Sequence, residues 1–317
     1  MRKPMAAPLL SPTLPQTGEG AKVMRKPING VLLLDKPVGI TSNAALQKAK
    51  WLLNARKAGH TGTLDPFADG LLPLCFGEAT KFSSYLLESD KRYRAVLRLG
   101  VTTTTGDPEG EILATREVHA SRAEIEAVLP RFMGEIEQIP PMHSALKHQG
   151  RPLYEYARAG IEIERPPRRV KISALDLIEC EPPRVVLDVQ CSAGTYIRTL
   201  AQDIGEALGC GAHLTALTRT AAGGFTLDQA LSLASLEALD AAARQAKLLP
   251  ADRMVAHLPM VQLDTAEAGA LCQGRSVAHA SVLPGLARVY AGSSFIGLAD
   301  LDDGRLIPRR LIATQQT

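Results

Sequence analysis

The sequence predicts an α+β body followed by a small, separate β module. The chain has 317 residues, which corresponds to about two domains at roughly 150 residues each. Strand-like and helix-like apolar patterns are mixed over residues 29–249, whereas short strands dominate residues 250–317. With 45% hydrophobic and 22% charged residues, the composition excludes a wholly disordered or a fibrous protein.

Residues 1–28 are predicted to be a flexible tail, because they are rich in Pro, Gly, Thr and Lys and lack apolar periodicity. The tetrapeptide Met-Arg-Lys-Pro at the start occurs again at residues 24–27. Met1 and Met24 therefore both stay open as the natural start of translation.

The apolar patterns place most of the elements. Runs and alternations typical of strands lie at residues 31–34, 93–101, 170–180, 185–191, 295–301 and 305–312. Helices are predicted after a cap at Thr41 or Ser42, after the capping box at residues 121–124, over residues 195–208, over a linking segment at 231–246, and around residues 266–272. The glycine-rich residues 59–77 predict a loop without a long regular element.

Charge and cysteine content narrow the function classes. The net charge of +3 is too small to indicate which class of molecule the protein binds. Five cysteines without a C-x-x-C pair predict neither a disulfide framework nor a structural zinc site. No segment reaches the roughly 18 uninterrupted apolar residues of a membrane span. We therefore expect a cytoplasmic protein without a metal and without a membrane partner.

Asp65 is the first candidate for chemistry. It stands between Leu64 and Pro66 in the glycine-rich loop. Burying a carboxylate beside apolar residues costs free energy unless a cation forms an ion pair with it. From spacing alone, a turn-capping role for Asp65 and a hydrogen-bonded turn role for His60 remain the simpler alternatives. The loop lacks the Gly-Lys-Ser/Thr of a nucleotide-binding loop, so the sequence predicts no cofactor.

Arg198 is the second candidate. It falls in the first turn of the helix predicted over residues 195–208, where the helix dipole disfavours a positive charge. Either a carboxylate elsewhere in the fold pairs with it or it is a solvated surface residue, and the sequence leaves both open.

Two basic segments carry interleaved tyrosines. Residues 143–171 hold seven basic and three acidic residues together with Tyr154 and Tyr156, and a smaller basic cluster surrounds Tyr93. Cations that alternate with aromatic rings suit a phosphate backbone with unpaired bases. Together the two segments favour an RNA partner.

Several blocks, in order along the chain, make the sequence resemble the TruB-type family of bacterial tRNA pseudouridine-55 synthases. The resemblance covers nearly everything after residue 28. The blocks are Leu34-Asp35-Lys36-Pro37 with Gly39 and Thr41-Ser42, residues 59–66 through 77–81, Tyr93 with Leu99-Gly100 and Thr105, Pro140-Pro141 with Ser144-Ala145 and Lys147, residues 194–198, and residues 211–214 with Leu217 and Arg219.

The resemblance implies a pseudouridine synthase fold, with a mixed, largely antiparallel central sheet and flanking helices, and a PUA-like RNA-binding module from about residue 250. It implies that one uridine in the T-arm of tRNA is flipped out and isomerised without a cofactor. Asp65 matches the catalytic aspartate, Arg198 its partner, and Tyr93 the ring that stacks on the base and helps to remove the C5 proton.

The resemblance also implies RNA-binding residues. His60 would fill the space vacated by the flipped base, Tyr196 and Leu217 would line the pocket, and Lys36 and Lys81 are candidates for phosphate or pocket contacts. Whether Asp65 attacks the sugar, adds to the base or removes a sugar proton stays open. A monomer that needs no guide RNA or protein partner is expected.

Three other functions remain as alternatives. A glycoside hydrolase would use Asp65 with a second acid such as Asp69 or Asp107. An RNA-binding protein that assists tRNA folding would not need the catalytic residues Asp65, Tyr93 and Arg198. An RNA-guided relative would act inside a ribonucleoprotein, although the short C-terminal module favours the stand-alone form.

Overall fold

The structure, a computed structural model, describes residues 24–279 and 284–313. Up to residue 23, the predicted tail lies outside the described residues. Its last residues contact the body, since the Lys26 N–H donates to the Asn54 carbonyl oxygen at 2.8 Å and Ile28 is buried. Folded structure therefore includes residues that the sequence assigned to the tail.

Short helices are interspersed among the strands of the described chain. The elements up to residue 128 are β1 (Gly30–Lys36), α1 (Ser42–Leu52), β2 (Ala58–His60), β3 (Asp69–Phe76), α2 (Ser83–Leu87), β4 (Lys91–Leu99), β5 (Val101–Thr103), β6 (Ile112–Thr115) and α3 (Arg122–Val128). Those that complete the body are β7 (Gly134–Gln138), β8 (Lys147–His148), β9 (Arg151–Pro152), α4 (Leu153–Arg158), β10 (Arg168–Glu181), β11 (Arg184–Cys191), α5 (Ile197–Ala207), β12 (Ala212–Ala222), β13 (Phe225–Thr226), β14 (Leu231–Ser232), α6 (Leu233–Ala238) and α7 (Ala241–Ala246).

The C-terminal part adds a second set of elements. These are β15 (Met260–Leu263), α8 (Thr265–Cys272), β16 (Val277–Ala278), β17 (Gly285–Ala291), β18 (Ser294–Asp302) and β19 (Arg305–Leu311). Single 3₁₀ turns lie at Gly77–Phe82, Leu129–Phe132, Leu227–Gln229 and Ala251–Val255.

One large sheet organises the body. Its strands follow the order β14-β1-β3-β12-β4-β11-β10-β7, with β2 paired to β3 and β13 to β12. The β14–β1 and β3–β12 pairs are parallel, and the other pairs are antiparallel. The mixed, largely antiparallel sheet that the resemblance implies is confirmed.

Helices cover the sheet and close its core. Ile197, Leu200 and Ile204 on α5 pack with Ile125 on α3 and with the buried residues of β4, β10, β11 and β12 in one apolar cluster. A second cluster buries α1 against β1 and β3. The apolar stripe at helical spacing on α5 fixes the face that this helix buries, and therefore fixes where Arg198 points.

Local signals placed most element ends correctly. The Thr41 side chain caps α1 by accepting from the Ala44 N–H at 3.1 Å, and the capping box of Ser121 and Glu124 opens α3. The predicted hairpin joins β18 to β19 through Asp303 and Gly304, both at positive φ. The strand predicted over residues 93–101 is interrupted at Gly100, whose φ of +81° ends β4.

Two predictions were wrong. Residues 59–77 contain β3, a regular strand that pairs with β1 from Gly70 to Phe76. Its Gly70 and Pro73 conceal a strand that lies between neighbouring strands on both edges, where apolar pairing outweighs local propensity. The single linking helix predicted over residues 231–246 is α6 and α7, because Asp240 caps a new helix by accepting from the Ala243 N–H.

The C-terminal module is a compact sheet with its own apolar core. Its strand order is β15-β17-β18-β19-β16, and α8 packs on it through Ala268 and Leu271. The module joins the body where the Phe82 and Phe295 rings pack at 5.4 Å and where the Tyr290 hydroxyl donates to Asp252 at 2.6 Å. This confirms the predicted β module.

Candidate active site

Asp65 lies in the loop between β2 and β3, whose backbone is held by hydrogen bonds on both sides of this residue. Ser42, the first residue of α1, holds both backbone groups of Leu64: its hydroxyl donates to the Leu64 carbonyl at 2.9 Å and accepts from the Leu64 N–H at 2.7 Å. The Gly39 N–H donates to the Pro66 carbonyl oxygen at 2.8 Å. Because both neighbours of Asp65 are tied down, the backbone at Asp65 has little freedom.

Arg198, on the first turn of α5, forms an ion pair with Asp65. Its Nε lies 3.2 Å from Asp65 Oδ2, and its side chain is only 6% exposed while that of Asp65 is 37% exposed. Of the two alternatives that the sequence left open for Arg198, the structure shows the one with a carboxylate partner. The pair places an accessible carboxylate over a buried cation.

Asp107, which the sequence indicated only as a possible second acid of a hydrolase, contacts Arg198 as well. Its Oδ2 lies 3.0 Å from Arg198 Nη1, and its Oδ1 accepts from the Glu109 N–H at 3.0 Å and from the Thr105 hydroxyl. Arg198 also donates to the carbonyl oxygens of Thr105 and His143. No local signal in the sequence indicates this contact, because it joins segments that only the fold brings together.

The electrostatics of Asp65 reflect these neighbours. Burial raises the pKa of the Asp65 carboxyl above its ordinary value, and the negative charge of Asp107 raises it further. The positive charges of Arg198 and Lys36 oppose this rise. Arg198 therefore acts to keep the carboxylate ionised in a partly dry site.

Tyr93 stands beside this pair on β4. It faces Val189 of β11 on one side and Arg219 of β12 on the other, and its ring packs against the apolar cluster under α5. Burial raises the pKa of the Tyr93 phenol, and the charge of Arg219 lowers it. The carboxylate of Asp65 also raises this pKa, so Asp65 and Tyr93 share one electrostatic environment.

The structure gathers most of the other predicted site residues around the same loop. His60 lies on β2, and burial and the charge of Arg219 lower its pKa. Tyr196 precedes α5 and is fixed by Gln138, which accepts from the Tyr196 N–H at 3.0 Å. Leu217 is buried on β12, opposite Ala95 of β4.

The two predicted lysines occupy different places. Lys36 is fully buried and donates to the carbonyl oxygens of Pro37 and Ile40, while burial lowers its pKa to about 8. Lys81 donates to the Leu311 carbonyl oxygen at 2.8 Å and pairs with Glu78 at 2.7 Å. Lys81 thus contacts the C-terminal module rather than the residues around Asp65.

The basic segment predicted from the sequence is anchored on the site at one end. The His143 carbonyl oxygen accepts from Arg198 Nη2 at 2.6 Å, and the Ser144 carbonyl oxygen accepts from the Tyr154 N–H. Beyond this anchor the Arg158 and Arg151 guanidinium groups lie over the rings of Tyr154 and Tyr156, at 5.4 and 5.0 Å. The segment thus extends a cationic, aromatic surface from the site.

Residues 24–279 and 284–313 contain no group of three or more His, Cys, Asp or Glu side chains placed to hold a metal ion. Across the same residues, no helix is both long and apolar enough to span a membrane.

An accessible carboxylate paired with a buried arginine on a mixed, largely antiparallel sheet is what the resemblance to pseudouridine synthases implies. Family models agree with this class: the TruB family pseudouridylate synthase N-terminal domain matches residues 50–197, and two TruB C-terminal domain models match residues 198–256 and 259–312. The chain belongs to the TruB family of pseudouridine synthases, which isomerise uridine to pseudouridine in tRNA.

Similar proteins support this assignment. The chain is 74% identical to a tRNA pseudouridine synthase B of Thiobacillus denitrificans, over 93% of this chain and 99% of that protein. It is 59% identical to the protein of that name from Chromobacterium violaceum, over 92% and 97%. Among solved structures, a Cbf5-Nop10-Gar1 complex is 28% identical with a TM-score of 0.68, covering 90% of this chain and 84% of that one.

A second solved structure shows the same fold with RNA bound. It is an H/ACA RNP bound to a substrate RNA containing 2′-deoxyuridine, 26% identical with a TM-score of 0.68, covering 90% of this chain and 86% of that chain.

Proposed function

We propose that this protein isomerises uridine 55 in the T-arm loop of tRNA and that Asp65 is its catalytic carboxylate. One observation carries the proposal: Asp65 is the partly exposed member of an ion pair whose cation, Arg198, is itself buried and held by a second carboxylate. A carboxylate held ionised at the edge of a cleft suits chemistry at a glycosidic carbon.

The reaction balances with the residues of the chain alone. The N1–C1′ bond of the uridine breaks, the base turns, a C5–C1′ bond forms, C5 loses its proton and N1 gains one. No electron or group is transferred to a cofactor. The ionised Asp65 serves attack on the sugar, addition to the base or removal of a sugar proton, and Arg198 stabilises its charge in each case.

Access to Asp65 requires the uridine to leave the RNA stack. Flipping costs a few kcal/mol of stacking, and Tyr93 supplies a replacement ring beside Asp65 in this proposal. His60, on the strand that leads to the catalytic loop, enters the space left in the RNA, and Tyr196 and Leu217 line the base pocket. Tyr93 also takes part in removal of the C5 proton.

The substrate surface follows from charge. The segment of residues 143–171, anchored at Arg198, offers cations and rings to the T-arm, and the PUA-like module adds a second RNA contact. We propose that the chain acts as a monomer in the bacterial cytoplasm, without a guide RNA or protein partner.

Release of tritium from C5-labelled uridine tests the proposal. Wild-type protein and a tRNA transcript, with no other component, should release one tritium per tRNA, and a transcript with cytidine at position 55 should release none. Release from another position, or only with added RNA, would contradict the proposal.

Asp65→Asn separates catalysis from binding. The amide keeps the shape of the side chain but has no ionised oxygen, so product formation should fall by about 10³-fold or more. Binding of tRNA, measured by filter retention, should stay within about twofold, because Asp65 contributes no cation to phosphate contacts. Substantial turnover by Asp65→Asn would overturn its assignment.

A further inference from the structure

A second buried arginine lies beside the site and has no role in the chemistry described so far. Arg219 is on β12 and is 1% exposed. Its Nε donates to the Leu71 carbonyl oxygen at 2.7 Å, whereas its Nη2 is buried without a hydrogen-bond partner. A buried cation that is so poorly satisfied is costly, which indicates a function beyond packing.

Backbone on both sides of Asp65 lies close to Arg219. A Cβ added at Gly62 would lie 3.5 Å from Arg219 Nη1, and one added at Gly70 would lie 2.5 Å from the Arg219 carbonyl oxygen. At Gly70 any side chain would clash with backbone, and φ there is +95°. Arg219 is therefore in close contact with the backbone before Asp65, at Gly62, and after it, at Gly70 on β3.

The third neighbour is Tyr93, which pairs with Arg219 across the β4–β12 ladder. The positive charge of Arg219 lowers the pKa of the Tyr93 phenol. The other titratable groups that act on this phenol are Cys191 on β11 and Asp65 on the loop, and both raise its pKa.

We propose that Arg219 is a positioning residue that holds the Tyr93 phenol in the orientation at which a base stacked on its ring meets Asp65. The planar guanidinium suits this role, because one edge binds the Leu71 carbonyl while Nη1 lies beside Gly62 and the residue pairs with Tyr93 across the strands. A lysine at this position would keep the charge but could not act on both sides at once. The inference rests on the proposed stacking role of Tyr93.

Titration of Tyr93 in the protein without RNA tests the contact directly. The signal of Tyr93 is the part of the tyrosinate absorbance that Tyr93→Phe removes. In Arg219→Gln the pKa of Tyr93 should rise by about one unit, because a neighbouring cation is lost. The matched control Arg122→Gln, an exposed arginine on α3, should leave it unchanged, and an unchanged pKa in Arg219→Gln would overturn the proposal.

Single-turnover rates test the function of the contact. Arg219→Gln should slow isomerisation about 10- to 100-fold, the loss expected when a reacting group is misplaced, while the Kd for tRNA stays within about threefold. In a Tyr93→Phe background the same change should cost less than about threefold, since both substitutions remove one interaction. Equal losses in both backgrounds, or full activity of Tyr93→Phe, would contradict the proposal.

Folding is checked by thermal melting of every variant. If Arg219→Gln is unfolded at the assay temperature, Arg219→Lys takes its place in both experiments, with a rate loss that again disappears in Tyr93→Phe. Arg219→Lys with wild-type rates would overturn the proposal. Absence of pseudouridine in tRNA treated with wild-type protein would contradict the proposed function instead, because the Tyr93 titration needs no RNA.

Discussion

Two buried arginines lie near the catalytic loop, and their surroundings differ. Arg198 on α5 contacts two carboxylates and two carbonyl oxygens. Arg219 on β12 has one hydrogen bond to a carbonyl oxygen, has no salt bridge among the described residues, and leaves one nitrogen without a partner. The first arginine is satisfied before any substrate arrives, and the second is not.

The difference separates two tasks of a site. Asp107 neutralises Arg198 on its buried side, so the Asp65 carboxylate at the cleft edge meets a cation that is already fixed in place. Arg219 has no such counter-ion, so its field reaches Tyr93, His60 and Lys36, each of whose pKa values it lowers. Arg198 therefore provides a fixed charge for Asp65, and Arg219 shifts the pKa values of its neighbours.

Arg198→Met should have the largest effect, because it leaves Asp107 buried without a cation. Breaking a buried ion pair in this way costs about 3–5 kcal/mol of unfolding free energy, and turnover should fall by about 10³-fold or more. Urea denaturation and single-turnover kinetics measure the two effects. Arg122→Met, an exposed arginine on α3, should change stability by less than about 0.5 kcal/mol. A stable, active Arg198→Met variant would contradict the different roles assigned to Arg198 and Arg219.

Asp107→Asn should have an intermediate effect. The amide preserves the shape but removes one of the two charges that hold Arg198, so the rate at neutral pH should fall about 10- to 100-fold. The negative charge of Asp107 raises the pKa of Asp65, so its removal lowers that pKa. The acid limb of the rate profile should therefore move to lower pH.

A pH–rate series on Asp107→Asn checks both expectations. Asp303→Asn, in the exposed hairpin turn at positive φ, is the control and should keep the wild-type profile. An acid limb that moves to higher pH would show that Asp107 does not act on Asp65 through its charge.

Lys36→Met should have the smallest effect, a change in how the free energy of unfolding depends on pH. It tests whether the Lys36 ammonium, one of the groups near Arg219, is buried away from water. Burial lowers the pKa of Lys36 from 10.5 to about 8. Between these values the unfolded chain retains a proton that the folded protein has released, so the stability of the wild type rises with pH. The gain relative to Lys36→Met should approach about 1 kcal/mol per pH unit.

Urea denaturation from pH 7 to 10.5 measures this slope for the wild type, Lys36→Met and the exposed control Lys247→Met. Lys247→Met should follow the wild type. If Lys36→Met follows it as well, the Lys36 ammonium is not held in the dry environment that the structure shows.

Local patterns in the sequence determine much of the fold. The caps of α1 and α3, the doubly covered strand β11 and the hairpin of β18 and β19 all follow from short-range signals, since capping, alternation and turn chemistry act within a few residues. The position of Arg198 on the first turn of α5 also indicated a carboxylate partner as one of two alternatives.

Tertiary structure decided the rest. Asp107 meets Arg198 across 91 residues of sequence, and Arg219 reaches Leu71 across 148, so no local pattern encodes either contact. Strand β3 forms because neighbouring strands bury both of its edges, despite its glycine and its proline. The sequence alone therefore specifies which segments become helices and strands wherever short-range energies dominate. Which charges meet in the dry interior depends on packing, because only the folded chain excludes the water that would otherwise solvate them.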